Sequence, residues 1–181
     1  MLIFGLRSFS KYVPADIVKL LLQNKREAYL GLDDKDLSVF FSDIANFTTI
    51  SESLSPRELV ALMGEYLMEM SDIVQSGGGL VDKYIGDAIM AFWNAPAPIA
   101  KHEFAACETA LLYNSRLAEL RESKCFFTIA WWQFPPPEVL FCFSLEWISN
   151  GFPVVEARIG IHAGRCRVGN LGSESRFNYT W

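Results

Sequence analysis

The apolar positions of this chain change period several times, and each change predicts an element. Pro14 followed by Ile17, Val18, Leu20 and Leu21 gives one apolar side at helical spacing over 14–26. Leu37 to Ser42 is instead an almost continuous apolar run of strand length, the pattern of a strand buried on both faces. The polar stretch Gly31 to Asp36 before it reads as a connection. Ser55-Pro-Arg-Glu58 has the pattern of a capping box with proline in the first helical position. Behind it Leu59, Met63, Tyr66, Met70 and Ile73 recur at helical spacing to about Gln75, and Ser76-Gly-Gly-Gly79 stops the helix. Two short strand-like runs, 80–84 and 88–93, flank Ile85-Gly86-Asp87, which is a hairpin signal. Residues 101–122 predict a helix with Phe104, Cys107, Leu111 and Ala118 on its apolar side. A strand over 154–162 and a neighbouring strand over 165–170 close the pattern. Helix, strand, helix, hairpin, helix, strand, strand predicts an α+β domain: a mainly antiparallel sheet with helices packed on it.

Composition narrows this picture. With 181 residues and 51% apolar content, the chain suits one domain with a sizeable core and is not disordered. A net charge of −5 without a long basic run gives no support to a nucleic-acid partner. The four cysteines form no Cys-x-x-Cys pair, and with two histidines no zinc set is evident. They read as reduced, buried thiols of a cytoplasmic protein. The N-terminus lacks the long apolar region of a signal peptide, and no stretch of ~18 apolar residues predicts a membrane span. Residues 124–146 break the pattern. With Trp131, Trp132 and Pro135–Pro137 they are too long and too apolar for an ordinary loop. They are either an inserted arm that packs on a partner or translated non-coding sequence.

Two carboxylates carry the candidate chemistry. Asp43 ends the apolar run Val39-Phe-Phe-Ser-Asp43, and Asp87 lies at the predicted hairpin turn. Brought together by adjacent strands, they suit Mg²⁺, which binds through one or two carboxylates plus substrate phosphates. The N–H groups of Ile44, Ala45, Asn46, Phe47 and Thr48 could then cradle phosphates, as helix N-termini do. The plainer alternatives are a helix cap for Asp43 and a turn residue for Asp87. Lys83 taken alone is a solvated charge, and Arg158 a strand residue paired with a carboxylate. His102 opens a helix and reads as solvent-facing.

The segments around Asp43 and Asp87, with Ala157-Arg-Ile-Gly-Ile-His-Ala-Gly164, resemble the class III adenylyl/guanylyl cyclase catalytic domain. The likeness covers nearly all of 1–123 and 147–181, and three ordered motifs make it specific. It implies a ferredoxin-like nucleotide cyclase fold over 31–181, with 1–30 as a helical segment leading in and 124–146 as an atypical insertion. The opening Tyr12-Val-Pro-Ala-Asp-Ile-Val is similar to the segment that follows membrane or sensor regions in many microbial members.

By resemblance, Asp43, Ile44 and Asp87 hold two Mg²⁺ or Mn²⁺ ions, and the turn from Ile44 to Thr48 cradles the triphosphate beside Gly86. Arg158 matches a triphosphate-contacting arginine. Lys83 matches the first purine reader, where lysine accompanies adenine and glutamate guanine; lysine can donate to adenine N1. Thr180 matches the second reader, and threonine there resembles the subgroup that includes bicarbonate-responsive enzymes. The implied activity is conversion of ATP to cyclic AMP and pyrophosphate by a homodimer with active sites at its interface. The alternatives are a guanylate cyclase, a non-catalytic dimerisation or nucleotide-sensing module, or another nucleotidyl-transfer domain. The family also carries an asparagine, an arginine and a lysine beyond the position of Trp181, so the resemblance implies little or no turnover by these 181 residues alone.

Overall fold

The apolar run of the sequence forms the middle of β1 (Gly31–Ile44), the centre of a five-stranded sheet. A computed structural model describes residues 17–18, 30–122, 147, 152–173 and 176–181. The helices are α1 (Phe47–Ser53), α2 (Pro56–Ser76) and α3 (His102–Glu122). The other strands are β2 (Leu80–Ile85), β3 (Ala88–Trp93), β4 (Ala157–Ser173) and β5 (Arg176–Thr180). The strand order is β2-β3-β1-β4-β5 and each neighbouring pair is antiparallel. The α+β prediction therefore holds.

The two faces of β1 enter two cores, as strand alternation requires. Phe40 and Ile44 join Tyr66, Met70, Trp93, Tyr113, Leu117 and Trp147 under α2 and α3. Leu37 and Val39 join Ile17, Leu80, Phe92 and Val168 on the other face. Ile17 and Val18 are helical, and the rest of the predicted 14–26 helix lies outside the described residues, as does the 124–146 stretch. Ile17 packs on the face opposite α2 and α3. Trp181 and Tyr179 also close over that face: the Phe92 and Tyr179 rings lie 6.3 Å apart, and those of Phe41 and Trp181 5.9 Å. The sheet thus curls, and β5 reaches the vicinity of β2 although the two are opposite edges.

The helix start at Ser55 is as predicted. Ser55 Oγ accepts from the Glu58 N–H while Glu58 Oε2 accepts from the Ser55 N–H at 2.8 Å, satisfying two end donors. Three expectations need correction. β1 begins at Gly31, because the supposed connection pairs with β4 from Gly31↔Asn170 onward. One of its charges is paired across the strands, Asp34 meeting Arg167 at 3.3 Å and Arg165 at 3.6 Å. The strands expected over 154–162 and 165–170 are one strand, because Gly164 pairs with Leu37 and does not turn the chain. Gly169 lies so close to β1 that an added Cβ would stand 2.1 Å from the Gly31 carbonyl oxygen. Finally, α3 buries Ala106, Thr109, Tyr113, Leu117 and Leu120, whereas Phe104, Cys107 and Leu111 face water. The predicted apolar side was the wrong one, because polar Thr109 and Tyr113 find hydrogen-bond partners inside.

Candidate active site

Two separate groups of side chains emerge from this frame. The first sits at the end of β1. Pairing of β1 with β3 (Ser42↔Ile89) brings the Gly86–Asp87 turn beside Ile44. Gly86 makes that turn at φ 64, with open space where a side chain would be. Asp87 Oδ2 accepts the Ile44 N–H at 2.8 Å. Asp43, the residue before it, stands opposite Arg158 of β4 and takes a bidentate pair, Nε–Oδ1 2.8 Å and Nη2–Oδ2 2.9 Å. Both are open to water, so the pair contributes little and can be exchanged for a ligand.

The turn after Asp43 has fewer free donors than expected. Ile44 N–H is held by Asp87, and Ala45 N–H by the Glu156 carbonyl at 2.7 Å. Asn46, in the left-handed conformation at φ 57, leads into α1, and no side chain caps that helix. Asp43 is not a helix cap, whereas Asp87 does stand in the turn between β2 and β3. The first-turn N–H groups that follow, including Phe47 and Thr48, are the donors an anion could meet. Beneath Asp43 runs a buried hydroxyl chain: Ser42 Oγ to Tyr113 OH at 2.8 Å, and Tyr113 OH to Tyr66 OH at 2.7 Å. Burial pushes the pKa of both tyrosines up, which keeps them neutral. Tyr66 reads in the sequence only as an apolar helix position, so this support was not visible there.

The second group lies where β5 meets β2. Lys83 Nζ donates to Thr180 Oγ1 at 3.2 Å, joining positions 97 residues apart. Thr180 in turn donates to Asp82 Oδ2, which also lies 3.5 Å from Lys83 Nζ. Adjacent strand residues normally point to opposite faces. Here Val81 pairs with Ala91 and Lys83 with Met90, so Asp82 is the extra residue of a bulge. That irregularity lets Asp82 and Lys83 reach the same hydroxyl. Thr180 is 5% exposed and the Asp82 side chain 2%. Burial pushes the Asp82 pKa up, against the Thr180 and Lys83 interactions that hold it down. Sequence reasoning missed Asp82, because nothing in the Val-Asp-Lys run signals a bulge. Among the described residues, the hydrogen bonds and ion pairs of the Asp82–Lys83–Thr180 group and those of the Asp43–Asp87–Arg158 group form two separate sets.

Residues 33–181 match the model of the adenylate and guanylate cyclase catalytic domain. The chain belongs to this family. Adenylate cyclase 1 of Rhizobium meliloti is 30% identical over 173 residues, 96% of this chain but 23% of that protein's length. Among solved structures, the adenylyl cyclase CyaB of P. aeruginosa has a TM-score of 0.68 at 33% identity, covering 83% of this chain and 67% of its own. The guanylyl cyclase Cya2 has a TM-score of 0.67 at 26% identity, covering 83% and 65%.

Within this class III cyclase catalytic domain, Asp43, Ile44, Asp87 and Arg158 converge at one place, and Lys83 with Thr180 at another. Among the described residues no three or more His, Cys, Asp or Glu side chains gather as a metal cage. Two carboxylates with backbone oxygens and incoming phosphates fit Mg²⁺ or Mn²⁺, which rarely takes an all-protein cage. His102 is not solvent-facing as expected. It is 8% exposed, with its Nδ1 and the buried Ser38 Oγ 2.8 Å apart. Cys107 is exposed rather than buried. No helix among the described residues is long and apolar enough to cross a membrane.

Proposed function

We propose that this domain is an adenylate cyclase, converting ATP to cyclic AMP and pyrophosphate by in-line attack of the ribose 3′-oxygen on the α-phosphorus. The observation that carries the adenine reading is the Lys83–Thr180 contact at 3.2 Å, which gathers both expected purine readers at one point. A lysine there can donate to adenine N1, and the threonine hydroxyl can accept from the adenine amino group. A glutamate in place of Lys83 would instead suit the N1–H and amino group of guanine.

Asp43, Asp87 and the Ile44 backbone would hold Mg²⁺ or Mn²⁺. Two such ions supply charge neutralisation at the phosphates and activation of the attacking oxygen. Arg158 would exchange Asp43 for phosphate oxygens, a trade between two exposed partners at low cost. The N–H groups of Asn46, Phe47 and Thr48 would meet the phosphates, with Gly86 leaving room for them. The separation of the two groups on one chain supports a homodimer in which each site takes the carboxylates from one copy and the purine readers from the other. We infer a cytoplasmic place for this ATP chemistry, with room for a sensor or membrane region elsewhere in a longer protein.

The test is product analysis of the purified full-length protein with Mg²⁺. Cyclic AMP from ATP, with cyclic GMP from GTP at least about tenfold slower, is the expected result. Comparable rates would overturn the adenine reading, and no cyclic product from either nucleotide would overturn the cyclase reading.

A further inference from the structure

Lysine alone is a poor judge between adenine and guanine. Its ammonium is only a donor, and it can serve guanine O6 as well as adenine N1. Rejection of guanine therefore falls on the threonine. A free hydroxyl is equally ambiguous, since it can accept from the adenine amino group or turn and donate to guanine O6. In this chain the hydroxyl is not free. Lys83 Nζ, a pure donor, takes one of its lone pairs, and Asp82, a pure acceptor when ionised, takes its proton. One lone pair remains.

We propose that Asp82 is a specificity-determining positioning residue that locks the Thr180 hydroxyl as an acceptor and so makes the site select adenine over guanine. This rests on the reading of Lys83 and Thr180 as purine readers. Asp82 touches no substrate in this arrangement. It acts through Thr180, giving a neutral hydroxyl the acceptor-only behaviour of a carboxylate. The bulge between Val81 and Lys83 is what aims it there, and its near-complete burial excludes the water that would otherwise reorient the hydroxyl. Guanine would bring its O6 lone pairs against the remaining lone pair of Thr180, an unpaired contact in a closed site.

The experiment compares ATP with GTP in the full-length protein, as the ratio of kcat/KM values and as competition of each nucleotide against a fluorescent ATP analogue. Asp82→Ala is expected to lower the ATP preference on the order of tenfold. Asp82→Leu, which fills the buried space without a polar group, is expected to do the same and guards against loss of folding. Adding Thr180→Val to either variant should change the ratio no further than Thr180→Val does alone. In the Asp82→Ala background, Thr180→Asp should restore the ratio by supplying a carboxylate acceptor directly. If both Asp82 variants lower ATP and GTP in equal proportion, Asp82 is merely structural and the proposal is overturned. If Thr180→Val itself leaves the ratio unmoved and Lys83→Ala weakens the binding of neither nucleotide, the purine-reader assignment fails instead, which separates the two outcomes.

Discussion

Asp43 and Arg158 keep 43% and 70% of their side chains exposed, whereas Asp82 keeps 2% and Thr180 5%. Both places hold a carboxylate against a cation, yet they are built differently. At the end of β1 the charges face water, and their pairing is cheap to break when phosphate and metal arrive. Where β5 meets β2 the Asp82 and Thr180 side chains are closed off from water, and every bond of the Thr180 hydroxyl but one is already taken. A group that must exchange partners during binding is left solvated. A group that must only discriminate is fixed in advance, because preorganised polar atoms reject a mismatched ligand most strongly.

The largest test of this contrast is at the exposed carboxylates. In the full-length protein Asp43→Ala is expected to lower cyclic AMP formation on the order of 10²- to 10³-fold. Its denaturation free energy should move by no more than about 0.5 kcal/mol, as for other exposed sites. Asp87→Ala should lower the rate similarly but also cost about 1 kcal/mol, since it strips the partner from the Ile44 N–H. A rate assay beside urea denaturation reads both, and retention of a tenth of the activity by either variant would contradict the contrast.

The buried group should respond in the opposite sense. Thr180→Val leaves Asp82 without its hydroxyl donor in a closed site, and the expected cost is about 1–3 kcal/mol of stability. A cost equal to that of Asp43→Ala would show that burial makes no difference here.

The smallest effect is a pH dependence. Burial, with the Asp33 charge as a second cause, pushes the Tyr179 pKa from 10.0 to about 12. The fold therefore favours the protonated phenol. That contribution is complete below pH 10, where the unfolded chain is also protonated, and is lost as pH rises from 10 to about 12. Thermal melts across this window should fall less steeply for Tyr179→Phe than for the natural chain. Equal slopes would show that the ring is not closed off.

How much of this was legible in the sequence follows the same division. The Gly86–Asp87 turn, the capping box at Ser55 and the end of α2 depend on neighbouring residues, and they stand where the sequence placed them. The meeting of Asp43 and Asp87 also needs β1 to pair with β3, which the two apolar strand runs made plausible but their local sequence does not fix. What the sequence hid depends on distant chain. Asp33 to Asp36 look like a loop until the far half of β4 pairs with them. His102 looks solvated until Ser38 reaches it from 64 residues away. The buried side of α3 carries Thr109 and Tyr113, so apolar spacing chose the exposed side. Asp82 looks like any surface acid until a bulge turns it and β5 covers it.

The central claim is that the exposed carboxylates of one copy work with the purine readers of another, and mixing tests it directly. Full-length Asp43→Ala and Lys83→Ala proteins, each nearly inactive alone, are combined in equal amounts, allowed to exchange subunits, and assayed for cyclic AMP. Half of the dimers are then mixed, and each mixed dimer holds one intact site of two, so about a quarter of the natural rate should return. A mixture no faster than the average of its two components would contradict a site shared between copies.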